Sequence, residues 1–164
     1  MHATGSTASL ILRLLHIVAA MIFLGALVVA LWWKIGADRT GDAAFAARTH
    51  RMLRRMDAQI LGPSALVVFA AGYSMVRFFG GKISQHFFVL FGLIFLFLAL
   101  GLWYFGMQRL GEKLAVDAES AEAARQPLGK EYAQRSAAWV LCAGGAIALV
   151  LLTAIFMVFR LPSG

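Results

Sequence analysis

A histidine and an arginine inside an apolar run are the first residues of this 164-residue chain that have chemistry to offer. Arg13 and His16 stand three apart in SLILRLLHIVAAMIFLGALVVALWW, residues 9–33. On a helix they share a face, with Ala20 one turn beyond His16. Imidazole changes charge near neutral pH and is the commonest metal ligand. An ionisable group at membrane depth costs about 2.5 kcal/mol or more on insertion scales, so this face is expected to turn into a helix bundle rather than toward acyl chains. His16, His86, Met75 and Met157 all fall toward one side of the membrane once the apolar spans are laid out. His16 lies roughly 10 Å below the outer end of its helix, and Met75 and Met157 lie about 6 and 5 Å below theirs. Imidazole with thioether suits copper(I), and histidine with a second histidine or a methionine suits haem iron. The cofactor-binding candidates are therefore His16, Arg13 and His86, with Arg13 as a counter-charge for a haem propionate. The metal-ligand candidates are His16, Met75 and Met157, and the cofactor expected is haem b or copper. Each residue also has a plainer reading. Methionines fill gaps in cores. His86 can be an interfacial residue beside Gln85, His16 a hydrogen-bond donor to a neighbouring helix, and Arg13 a snorkelling cation. His50, among arginines, reads as solvated, and His2 as part of a mobile terminus. No catalytic constellation accompanies them: Asp57 marks the start of the second span and the other acids lie in loops. No phosphate-cradling glycine loop or Ser, His, Asp arrangement is present.

The elements that would position these groups are membrane helices. The chain is 61% hydrophobic and 14% charged, which excludes an ordinary soluble domain and disorder alike. The expected fold is all-α, a four-helix integral membrane bundle running up-down-up-down, as a single transmembrane domain over 1–164. Its spans lie at about 9–33, 58–79, 84–107 and 137–159, each long enough for a hydrocarbon core of about 30 Å. Between the first two spans, a helix start at Thr40 or Asp42 opens a basic amphipathic helix over 43–56. Phe45, Met52, Leu53 and Met56 fall near one face of it and arginines on the others, and it is expected to lie on the membrane surface. Gly62-Pro63 either starts the second helix or kinks it. The third helix should continue to about Ala124 and break at Pro127 and Gly129. A single cysteine, Cys142, excludes an internal disulfide or a thiolate zinc site.

Eleven of the fifteen Lys and Arg fall in the two long loops or at their edges, which places those loops in the cytoplasm and both termini on the periplasmic side of a bacterial inner membrane. Trp32, Trp33, Trp103, Tyr104 and Trp139 fall near that cytoplasmic boundary. The net charge of +7 thus reads as a topology signal rather than as affinity for nucleic acid. The expected partners are the lipid bilayer, anionic lipids at Arg48, Arg51, Arg54 and Arg55, and a second copy or a membrane complex.

Three stretches carry a resemblance: LLHIVAAMIFLGALVV, GPSALVVFAAGY and EYAQRSAAWVLCAGGAIALVLLTAIFMVF. They resemble a family of predicted bacterial integral-membrane proteins of unknown function, which in turn looks like the membrane domain of copper-resistance protein D and, more distantly, the HemJ-type four-helix haem proteins. In the latter the histidine of an LHI pattern in an early span is a haem ligand, and His16 matches that position. The carry-over ends there, because IFLGAL replaces the Trp-Met-Ala-Gly-Leu that follows in those proteins. The likeness to copper-resistance proteins implies a role in moving copper across the inner membrane. The functional expectation is a haem b-binding or redox protein, or a copper-related one, centred on His16. The alternative is a non-catalytic accessory subunit of a larger membrane complex, suggested by small residues on spans one, two and four.

Overall fold

Nothing between Ala3 and Thr40 interrupts helix α1, which passes straight through Gly36. It stops where Gly41 takes a left-handed conformation, φ +67°, a backbone that only glycine adopts cheaply. The Asp42 carboxylate then accepts the Ala44 N–H at 2.9 Å and caps α2, Ala43–Met56, satisfying a donor that the first helical turn leaves free. This is a computed structural model that describes residues 3–77 and 87–159, with side chains described over 7–77 and 90–157.

α2 does not end at Met56. A π segment, Asp57–Leu61, carries it directly into α3, Gly62–Met75. The Gly62 N–H bonds five residues back to the Asp57 carbonyl. Pro63 has no N–H to give and its ring crowds the carbonyl four residues before it. The wider turn just before it lets the helix continue without a break. The third rod has the same form: α4, Phe87–Gly101, a second π segment, Leu102–Gln108, and α5, Arg109–Ala124. It ends at Arg125, φ 52°, just before Pro127 and Gly129. The fourth is α6, Lys130–Phe159.

Four helices are thus long and apolar enough to cross a membrane, and they form an all-α four-helix bundle. Cross-rod contacts give the directions. Arg51 meets Glu119, Asp57 meets Trp103 and Phe69 meets Phe97, so the second and third rods are antiparallel. Lys34 meets Ser136 and Asp38 meets Tyr132, so the first and fourth are too.

The basic helix is amphipathic as expected, but it does not lie along the membrane plane. It is the inner extension of the second rod, packed against α5 and α1. Ala46, Ala47 and Leu53 share a core with Leu114, Ala118 and Tyr132, and the alanines let α5 approach closely. With no helix breaker between Ala43 and Gly62, continuing the rod satisfies every backbone donor, whereas a turn onto the surface would free several. The outcome is a head of four helix ends beyond the apolar spans. Arg48, Arg51, Arg54 and Arg55 lie on its exterior, and Arg51 reaches Glu119 at 3.1 Å.

Two of the boundary aromatics also differ from expectation. Trp139 is 3% exposed and donates its indole N–H to the Met107 carbonyl at 3.0 Å, beside the second π segment. Trp103 donates to Asp57. These indoles bind helix to helix, while Trp32, 70% exposed, and Tyr104, 58% exposed, do face outward as boundary aromatics should. Leu114 is fully buried in the head, so Leu114→Ala should destabilise it by about 2–5 kcal/mol. Hydrogen exchange should then quicken in 43–56 as well as in 109–124. A helix held by lipid alone would keep its protection in the variant.

Candidate functional site

His16 sits in the half of the bundle away from the arginine-rich head. Its ring lies on α3, with Nδ1 2.9 Å from the Val68 carbonyl oxygen. A carbonyl can only accept, so Nδ1 carries a proton, and the nitrogen left to offer a lone pair is Nε2. Gly72 makes room for this: a Cβ there would stand 3.0 Å from Cε1 of the imidazole and 3.2 Å from Nδ1. A ring whose second nitrogen is fixed on a backbone carbonyl is oriented as metal-binding histidines are.

The other candidates are placed as follows. Met75 is half-buried and stands seven residues after Val68 and three after Gly72, on the stripe of α3 that carries the imidazole. Met157 packs instead between α6 and α4: a Cβ on Gly92 would fall 2.7 Å from its methyl group. His16 and Met157 therefore contact different helices. Arg13 is exposed one turn outward from His16. His86 lies outside the described residues. Among the described residues no group of three or more His, Cys, Asp or Glu is gathered as for a metal ion. A hollow of about 340 Å³ on the flank of α1 and α3 is lined by Leu15, Val18 and Ala19 rather than by His16.

A second polar site, in the head, went unread in the sequence. Lys34 is 0% exposed and His50 2%, which corrects the expectation that His50 is solvated. Both are enclosed where α1, α2 and α6 converge. Asp38 is the acceptor at the centre. Lys34 Nζ and Ser136 Oγ both donate to its Oδ2, and the Tyr132 hydroxyl donates to Oδ1 at 2.7 Å. Lys34 also donates to Ser136 and stands over the rings of Tyr132 and Trp139, at 5.1 and 5.9 Å. Since the Tyr132 proton is spent on Asp38, its oxygen accepts from His50 Nε2, 3.2 Å away. His50 is therefore the Nε2–H tautomer, the opposite of His16. Burial, with the Lys34 ammonium nearby, pushes the His50 pKa down to about 4, and burial beside Asp38 drives the Tyr132 hydroxyl upward. The only legible signal was spacing. Lys34 and Asp38 are i,i+4 on a helix that turned out to run past the apolar span, and Tyr132 and Ser136 repeat that interval on α6.

Residues 10–161 match the family described as a predicted integral membrane protein, DUF2269. No curated protein and no solved structure matches the chain.

Two outcomes follow for the head. The folded state holds His50 neutral down to about pH 4, while the unfolded chain takes up that proton near 6.5. Stability due to this group is complete above pH 6.5 and falls as pH drops toward 4, by about 3 kcal/mol in all. Thermal unfolding in mild detergent should show that slope, and His50→Gln should flatten it. Asp38→Ala strands a buried ammonium and should cost about 3–5 kcal/mol, more than Lys34→Met, which leaves Asp38 two donors. Denaturation of both variants checks the order.

Proposed function

We propose that this chain, which belongs to the DUF2269 family of predicted integral membrane proteins, handles a metal in the membrane through Nε2 of His16. The observation that carries this reading is the 2.9 Å contact of Nδ1 with the Val68 carbonyl. It orients Nε2, the nitrogen that would offer a lone pair to a metal, in a fixed direction. Copper(I) is the metal that best suits the donors at hand. Met75 stands on the same stripe of α3, and imidazole with thioether is a soft pair that holds copper(I) against harder ions. His16 and Met75 are the residues that would hold it, while Met157 on α6 packs against Gly92 of α4.

Haem b is the second reading, favoured by Arg13 standing exposed one turn from His16, where a guanidinium can pair with a propionate. The hollow beside α1 and α3 does not open onto His16, so a tetrapyrrole would have to lie across the exposed side of the ring. A single ion needs no such space, which ranks copper first. The positive-inside bias sets the arginine-rich head in the cytoplasm of a bacterial cell, with the termini and His16 toward the periplasm.

The test is copper(I) retention after competition with a chelator, with an absorption spectrum of the same protein from haem-replete cells. Wild-type protein should keep about one copper per chain, and His16→Ala should lose it. Met75→Leu should weaken retention by tenfold or more. Gly72→Ala, whose new Cβ would displace the imidazole, should weaken it without removing a donor. A Soret band absent from His16→Ala would transfer the site to haem. Retention of neither would end the metal reading and leave the accessory-subunit alternative.

A further inference from the structure

The hollow on the outer flank of α1 and α3 has a shape and a charge pattern of its own. Its floor is Ala19 and Ser64, both buried, and its walls are the exposed side chains of Val18, Ile22, Pro63 and Val67. Small residues on the floor between larger ones on the rims make a trough that runs along the helix pair. Its volume is about 340 Å³. It lies within the apolar spans, so hydrocarbon is the medium around it.

The end of the trough nearer the head carries one amide, Gln59, which borders it from the first π segment beside Ile60. Arg55, Gln59, Pro63 and Val67 follow at intervals of four, on one stripe of the second rod. Arg55 is exposed and, among the described residues, forms no ion pair, whereas Arg51 one turn earlier is taken by Glu119. An unpaired guanidinium, then an amide, then an apolar trough is the order of groups along one phospholipid: phosphate, glycerol ester, acyl chain.

We propose that this flank is a binding site for one anionic phospholipid from the leaflet on the arginine side. Arg55 takes the phosphate with two N–H donors, Gln59 faces the ester region, and one acyl chain lies in the trough over Ala19 and Ser64. The charge decides which lipid is held, and the trough decides where it is held.

The experiment is native mass spectrometry of the full chain, released from detergent after incubation with equal amounts of phosphatidylglycerol and phosphatidylcholine of the same acyl composition. Wild type should retain one phosphatidylglycerol in preference to phosphatidylcholine. Arg55→Gln should reduce that preference about fivefold, the effect of one basic residue at an anionic surface. Val18→Phe, which fills the trough from an exposed wall position, should lower retention of both lipids. Arg54→Gln removes an equal charge 100° around the helix and should change little. The proposal is overturned by equal retention of the two lipids in wild type, or by a loss in Arg54→Gln as large as in Arg55→Gln, which would mark diffuse attraction to the whole helix. It is also overturned if Val18→Phe, with unchanged helicity and elution volume, retains lipid as wild type does.

Discussion

In a space that excludes water, an acceptor with no proton of its own decides where the protons of its neighbours sit. Two such acceptors organise this protein. The Val68 carbonyl fixes the proton of His16 on Nδ1 and so leaves Nε2 bare. Asp38 accepts hydrogen bonds from Lys34, Ser136 and Tyr132, and through Tyr132 it sets the opposite tautomer on His50. Local dielectric makes both arrangements firm, because an unpaired group at either place would bear its full desolvation penalty. The candidate metal ligand and the head owe their chemistry to the same rule.

The Asp38 cluster is more informative about register than about stability. A buried ion pair gains little over well-packed apolar residues, since desolvating two charges offsets most of their attraction. What it does is allow only one alignment. Sliding α1 by a turn against α6 would separate Lys34 from Ser136 and Asp38 from Tyr132. Below the cluster, the two π segments face each other through the Asp57 and Trp103 contact, and Trp139 takes the Met107 carbonyl. The second and third rods thus change pitch at one level and are tied there. The upper part of the molecule packs as a water-soluble bundle would, and the lower part as a membrane bundle.

Most of the architecture was legible in the residues. Four apolar runs, the cap at Asp42 and the stop before Pro127 follow from hydropathy and local chemistry, and the structure bears them out. The course of residues 43–61 was not legible, because amphipathic periodicity marks an apolar face without saying whether lipid or protein covers it. Alanines at 43, 46 and 47 were the available sign of a close protein partner. His50 was misread for a related reason: its neighbours in sequence are arginines, but its neighbours in space are Tyr132 and Lys34, brought from α6 and α1. The burial of Trp139 was not legible because a tryptophan near a boundary satisfies its N–H equally well with water or with a carbonyl. That His16 turns toward a neighbouring helix follows from the cost of a polar group in lipid. Its partner Val68 was not legible, since a backbone carbonyl leaves no mark in a sequence.

The account therefore rests on proton placement, and two rings report it. Nitrogen-15 NMR of histidine-labelled protein in bilayers near pH 7, assigned with His16→Ala and His50→Gln, distinguishes the protonated from the bare nitrogen in each imidazole. His16 should carry its proton on Nδ1 with Nε2 bare, and His50 should carry its proton on Nε2 with Nδ1 bare. A His16 ring protonated on Nε2, or on both nitrogens, would contradict the account, because Nε2 would then have no lone pair to offer a metal.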